Sequence, residues 1–341
     1  MLSLAGPCRH GRPARARLVA AFAATVFITD THRTQAQISP DEVRQVRAAI
    51  ANQIDTLTIL GGDFGVTGGA FTLTTELVPG ERVDAEAQVR KFGGEGDLGD
   101  PRPIDDGNVA WQPHVQGSMG FIDSTNELQS ALLMGDSTQL KAEAIEFGGG
   151  ARFWLSDSLS VAPTLTALYG RTSDTYQPRS DFASRNIALL QQLGLVDWHA
   201  AVWAIRPALD IQYAAQIGRS IITLSAEPTY FHTQGLSYSN PHIAAGASSG
   251  FIASTVDVDV PLGIRLAGCE LRTGGYFTRT DLTGDLRSGL GIEHLTEAHA
   301  RIVLDLLNRL WKVKWLGLGG SYVWGTGLRG WTAGVDAAFQ F

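Results

Sequence analysis

The stretch LRGWTAGVDAAFQF, Leu328–Phe341, constrains this chain more than any other. Trp331, Ala333, Val335, Ala337, Phe339 and Phe341 form one alternate set, and Thr332, Gly334, Asp336, Ala338 and Gln340 form the other. A period of two with apolar and aromatic residues on one side is a β-strand with two unlike faces. Soluble sheets also alternate in this way. A strand ending on an aromatic of its apolar face is, however, how a membrane barrel closes, with its last strand paired to its first. That reading requires an export segment at the other end and similar strands between, and the sequence offers both.

The 341 residues are 44% hydrophobic with 39 Gly and only 18% charged residues, which suits packed strands and tight turns rather than disorder. No run approaches the ~18 uninterrupted apolar residues of a membrane helix. A bilayer crossing would therefore need a closed barrel, the other structure that pairs every backbone group. Residues 1–36 read as a secretory signal: Arg9, Arg12, Arg15 and Arg17 precede the short apolar run Leu18–Ile28, and Thr34-Gln35-Ala36 offers a cleavage site before Gln37. Removing them takes five of 27 Lys+Arg and one of 34 Asp+Glu, moving the formal charge from −7 to −11. An acidic mature chain argues against nucleic acid as a partner. Cys269 is then the one cysteine of the mature chain, so no intramolecular disulfide is expected; on its apolar strand face it reads as a small hydrophobe.

After the cleavage point, Ser39-Pro40-Asp41-Glu42 is a helix start with a capping box, and Val43, Val46, Ile50, Ile54 and Leu57 follow helical spacing. A helix over 37–55 is expected, either in the periplasm against the barrel end or in the pore, where Arg44 and Arg47 would meet inward acids. The barrel is expected over 56–341, with a bent first strand over Thr56–Thr75 and a second over Val83–Phe92. In Asn108–Ile122, Trp111, Pro113, Val115, Met119 and Phe121 oppose Gln112, His114, Gln116 and Ser118. Further strands are expected over Gln139–Leu155, Leu159–Arg171, Asp197–Tyr213, Gly218–Thr233, Gly250–Ile264, Ala267–Thr280, Ile292–Leu307, Lys312–Gly325 and Leu328–Phe341. Ile292–Leu307 equally fits an amphipathic helix, and a short helix is expected within Ser180–Leu193.

About twelve strands with one apolar and one polar face are the pattern of an outer-membrane barrel. The links agree: those at 156–158, 214–217, 265–266 and 308–311 are short, and those at 123–138, 172–196, 234–249 and 281–291 are longer. Short periplasmic turns alternating with long outer loops is the barrel arrangement. Gly93–Gly107 breaks the rule and reads as a flexible acidic loop. A soluble sandwich would not explain Trp203, Trp324, Trp331 and Phe341 near the ends of apolar faces, where aromatic girdles belong.

WQPHVQGSMGF (Trp111–Phe121), FGGGARFWLSDSLSVAP (Phe147–Pro163), LGLGGSYVWGTGLRGWTAGVDAAFQF (Leu316–Phe341) and the start near Thr67–Leu77 resemble the solitary outer-membrane autotransporter-like β-barrels. The resemblance spans most of the mature chain and concerns barrel architecture, not catalytic motifs. It implies a translocator-like barrel with an N-terminal helix in its pore. Only residues 37–55 separate the expected cleavage point from the first expected strand, which leaves no room for a passenger and puts self-secretion in doubt.

Catalytic patterns are thin. No Gly-x-Ser-x-Gly elbow occurs. His294 and His299, with Glu293 and Glu297, miss the i, i+4 spacing of a helical ligand pair, and on a strand they face opposite ways. Asn52, at the position self-cleaving autotransporters use, has no passenger to release. Arg206, Asp210, Glu227, Asp257, Asp259, Glu270, Arg272, Glu297 and Arg301 read as one lumenal charge network that rigidifies a narrow wet pore. Trp331, Phe339 and Phe341 are the expected barrel-closing signal.

The expectation is an all-β protein: a single antiparallel transmembrane β-barrel of about 12 strands with a short N-terminal α-helix, in the outer membrane. It carries no cofactor, metal or catalytic residues and serves as a narrow pore or an envelope scaffold. Its partners are outer-membrane lipid, the export and barrel-assembly machinery and a second copy of itself. The alternative is an outer-membrane hydrolase with a rim site among His232, His242, His294, His299 and the acids.

Overall fold

In a computed structural model of the chain, the alternating stretches join edge to edge into a closed ring. The structure describes residues 67–78, 81–104, 109–127, 135–241, 248–290, 292–306, 313–325 and 328–339, with 43, 44, 47, 50, 51, 53–55, 57–59, 243 and 246. The expected signal segment, Asn52, His242 and Phe341 lie outside the described residues.

The strands are β1 (Thr67–Val78), β2 (Glu81–Asp97), β3 (Arg102–Ile104), β4 (Val109–Glu127), β5 (Ser137–Trp154), β6 (Leu159–Gln177), β7 (His199–Ile217), β8 (Ser220–Tyr238), β9 (Ser248–Leu266), β10 (Cys269–Thr283), β11 (His294–Asp305), β12 (Val313–Gly325) and β13 (Leu328–Phe339). The helices are α1 (the described residues between 43 and 59), α2 (Asp181–Gln192) and α3 (Gly284–Leu290). β1 pairs with both β2 and β13, β2 pairs with β4, and β4 to β13 pair in succession, all antiparallel. Twelve strands thus close the ring, while β3 pairs only with the start of β4. Closure removes the sheet edges that lipid cannot solvate.

The ring has unlike ends. At the turn end the links 155–158, 218–219 and 267–268 are tight. At the loop end, 178–198 carries α2 and 284–293 carries α3. Its wall is apolar outside and polar inside. Phe121, Ile145, Leu165, Leu224, Val256, Phe277, Ile302 and Leu318 are exposed, whereas Gln112, His114, Gln116, Glu146, Arg152, Thr166, Arg206 and His299 are buried. A soluble barrel would show the reverse; a lipid-facing wall shows this.

Several strands run 19 residues, against the ~9–11 a tilted strand needs to cross a bilayer. The excess lies at the loop end, where the faces exchange character. On β5, Leu140, Ala142 and Ala144 are buried with Lys141 and Glu143 outside; further along, Phe147 is 71% exposed and Glu146 only 2%. Above that boundary water wets the outside and the interior is apolar. Val43, Ile50 and Ile54 of α1 cluster there with Leu140, Ala200 and Val202 of the wall, Ala183 and Leu190 of α2, and Leu195, Trp198 and Ile243 of the links. A second cluster joins Ile59 to Phe231, Leu282, Leu286 and Ile292.

Two expectations need revision. The residues after Asp55 do not begin the first strand: 57–59 are helical, the Thr58 hydroxyl donates to the Ile54 carbonyl at 2.8 Å, and β1 starts at Thr67. Burial of Ile59 outweighs the strand preference of its β-branched neighbours. Gly93–Asp97 continue β2, and Arg102–Ile104 form β3, where a loop was expected. Gly93 serves close approach, since a Cβ there would stand 2.8 Å from that of Ser118. His294–Asp305 is a strand, as expected, and not the helical alternative.

Candidate lumenal site

The polar face of each strand supplies the side chains of the interior, and cross-strand register decides which of them meet. Arg206 of β7, 2% exposed, donates from Nη1 to Glu146 Oε1 of β5 at 2.9 Å and from Nη2 to Glu227 Oε1 of β8 at 2.7 Å. The Thr166 hydroxyl of β6 donates to the same Glu146 oxygen at 2.6 Å. The guanidinium also lies 5.6 Å from the Phe231 ring centroid.

Nearer the turn end, Arg152 of β5 donates to Asp97 of β2 at 3.3 Å, to Asp210 of β7 at 3.1 Å and to Ser160 at 3.3 Å. His114 stands beside it, with Nδ1 2.7 Å from Asp97 and Nε2 3.6 Å from Glu95. On the far wall Arg272 pairs with Asp259 at 3.0 Å, and Glu270 pairs with Arg219. Arg301 of β11 reaches across β10 to both oxygens of Asp257 on β9 at 2.9 Å. Gly274 of β10 leaves that path open: a Cβ there would come within 3.2 Å of Arg301 Nε. Glu297 accepts from Tyr276 at 2.9 Å, Tyr276 stacks on His299 at 4.5 Å, and His299 Nδ1 is 2.8 Å from Ser321 Oγ.

The nine charged residues read as one network therefore fall into separate groups, most of them centred on an arginine, with Glu297 held instead by Tyr276. Strands lie about 4.8 Å apart, so a guanidinium reaches one or two strands away and no further. Glu95, Asp97, His114, Glu146 and Arg152 complete these groups, and the sequence reading missed them as charge partners. Glu146 and Arg152 share the parity of buried Ala142 and Ala144 along β5, which was the available signal.

At the loop end, Ser180 caps α2 by accepting from Ala183 N at 3.2 Å. Asp136 gathers that corner. It accepts from the Tyr176 hydroxyl at 2.6 Å, Ser180 N at 2.6 Å and the Ser180 hydroxyl at 2.8 Å. Burial works to raise its pKa, but these donors together hold it below the usual carboxylate range. Arg47 of α1 donates from Nε to the carbonyl of Leu193, the C-cap of α2, at 2.8 Å. Arg44 is exposed on α1. Trp331 points outward beside Tyr322 of β12, and the backbone of Phe339 pairs with Val313.

Among the described residues no group of three or more His, Cys, Asp or Glu is placed to hold a metal ion. His294 and His299 sit on opposite faces of β11, and Cys269 is buried and free. These polar groups mostly satisfy one another, an arrangement that stiffens a wall and sets the field inside it.

The family model of the solitary outer membrane autotransporter beta-barrel domain matches residues 102–333. The chain belongs to that family. Among solved structures, the transport unit of the autotransporter AIDA-I from Escherichia coli is similar at 7% identity and TM-score 0.56, over 89% of this chain and all of that one. The beta domain of the Bordetella autotransporter BrkA matches at 14% identity and TM-score 0.49, over 81% of this chain and all of that one. The translocator domain of NalP from Neisseria meningitidis matches at 11% identity and TM-score 0.45, over 87% and 98%. No curated protein matches the chain. A solitary autotransporter barrel is an outer-membrane protein, and that location accounts for the apolar outer wall and the polar lumen described above.

Proposed function

We propose that this barrel works without catalysis, as an envelope scaffold whose narrow pore is closed at the loop end by α1. The burial of Ile50 and Ile54 among inward residues of β5 and β7, beneath α2, carries this reading. The paired arginines support it: Arg152, Arg206, Arg272 and Arg301 each bind carboxylates on the wall, which leaves a stiff lumen of balanced charge. In this reading residues 1–36 are removed on export, α1 remains with the barrel, and the nine charged residues together with Arg47 are structural. Lipid covers the outer wall, and the barrel-assembly machinery inserts the chain, as it does autotransporter barrels.

Planar-bilayer recording on the purified full chain tests the proposal. A small, mildly cation-selective conductance is expected, rising when residues 37–60 are deleted. A large, anion-preferring current from the intact protein would overturn it.

A further inference from the structure

We infer that Asp55 is a proton-operated latch for α1: its carboxyl group holds the helix in the lumen when protonated and loosens it when ionised. This inference rests on the plug reading above.

Asp55 is 2% exposed and lies between the buried residues Ile54 and Ile59. Oδ2 accepts from Gly246 N at a long 3.3 Å. Oδ1 has no hydrogen-bond partner at all. The Thr233 hydroxyl and Gly246 N compensate a buried carboxylate with one oxygen unmet only in part, and a cation within reach would normally relieve the rest. None is present among the described residues. The elements packed against Asp55 present Thr233 from β8, Gly246 from the β8–β9 link and Asp285 from α3. Asp285 is the one titratable group among them; it is itself an acid and accepts from Ser248 N at 3.0 Å. The nearest described cations on α1 are Arg44 and Arg47, and Arg47 is turned to the Leu193 carbonyl at the other cluster.

The neutral acid removes the conflict. A protonated Asp55 has no charge to desolvate and no repulsion from Asp285, and its hydroxyl can supply a donor. Burial, helped by Asp285 and opposed by Thr233 and Gly246, pushes the group up from 3.8 to about 6. The sign follows. A carboxyl raised in the docked state binds more protons docked than free between those two values, so docking weakens as pH rises through that window. Above it the docked helix is disfavoured by about 100-fold relative to acid conditions, the ratio expected for a shift of roughly two pH units. Among its described residues the helix is anchored by the buried apolar side chains Val43, Ile50, Ile54 and Ile59, and a change of that size is enough to shift its docking.

The test is bilayer recording on the full chain between pH 4 and pH 8, comparing wild type, Asp55→Asn and a chain lacking residues 37–60. Heat-modifiable gel mobility shows that each variant has formed its barrel. The expected result is a wild-type pore most closed near pH 4 that opens as pH rises toward about 6 and changes little from there to pH 8. Asp55→Asn stays closed throughout, and the deletion is open throughout. If the deletion conducts no better than wild type, the plug reading itself fails. If the deletion opens but wild type and Asp55→Asn share one pH response, the latch is wrong and the plug stands. Calcium added at pH 8 separates a proton from a metal: closure by micromolar calcium, lost in Asp55→Asn, would overturn the proton latch in favour of a cation held between Asp55 and Asp285.

Discussion

Arg206→Met is the sharpest perturbation of the lumenal wall. It removes a guanidinium that donates to two carboxylates while keeping the length and apolar stem of the side chain. Glu146, with its side chain 1% exposed, would keep only the Thr166 hydroxyl. Glu227 is a third exposed and is partly solvated already. Stripping the partner from a buried charge costs about 3–5 kcal/mol, and nearly all of that should come from Glu146. The second change, Glu146→Gln, removes the stranded charge, so the double variant should recover at least ~1 kcal/mol relative to the sum of the single changes. Equilibrium unfolding in urea from lipid vesicles, followed by tryptophan fluorescence, measures all three. If Arg206→Met unfolds within about 1 kcal/mol of wild type, as exposed ion pairs do, water fills the lumen at that height and the description of a dry, paired wall is wrong.

Leu318→Arg places a charge on the lipid-facing wall at a 69% exposed position; the same unfolding assay should register about 2–4 kcal/mol of destabilisation, the midplane value for a barrel. Asp136→Asn weakens the corner that holds α2, and limited proteolysis at the loop end should speed up while the barrel stays intact. Because the Asp136 carboxylate is depressed, its contribution is present at pH 7 and is lost as pH falls through its folded value, below 3.8, so wild type should approach the variant's cleavage rate only in strong acid. Gly274→Val sets a side chain against Val258 O, where a Cβ would stand at 2.7 Å, and blocks the Arg301–Asp257 pair; barrel yield on refolding should fall.

The closed ring was legible because each strand repeats one rule: alternate residues change solvent. Trp111–Phe121 displays it without ambiguity, and Met119 and Phe121 do face outward while His114 and Gln116 face in. What alternation does not carry is register. Arg206 and Glu146 are 60 residues apart and lie two strands away from each other, so their pairing depends on how three strands slide together. The faces also exchange polarity along β5 where the strand leaves the lipid, so Leu140 and Glu146 share an inner face despite opposite character. Local preference misled in two places. Thr56, Thr58 and Ile59 favour a strand, but burial holds the described residues around them in α1. Gly93, Gly94 and Gly96 suggest a loop, but β2 stays paired with β4 through Asp97, closely at Gly93, and Asp97 then meets His114 and Arg152.

All of this depends on lipid covering the apolar outer wall. Nitroxide labels placed one at a time from Ala298 to Asp305 on β11 read that directly through their collisions with oxygen and with a water-soluble nickel complex. The account predicts that Ala298, Ala300 and Ile302 report oxygen and exclude nickel, while His299, Arg301 and Val303 do not follow them, giving a period of two. Uniform nickel access along the strand would contradict it.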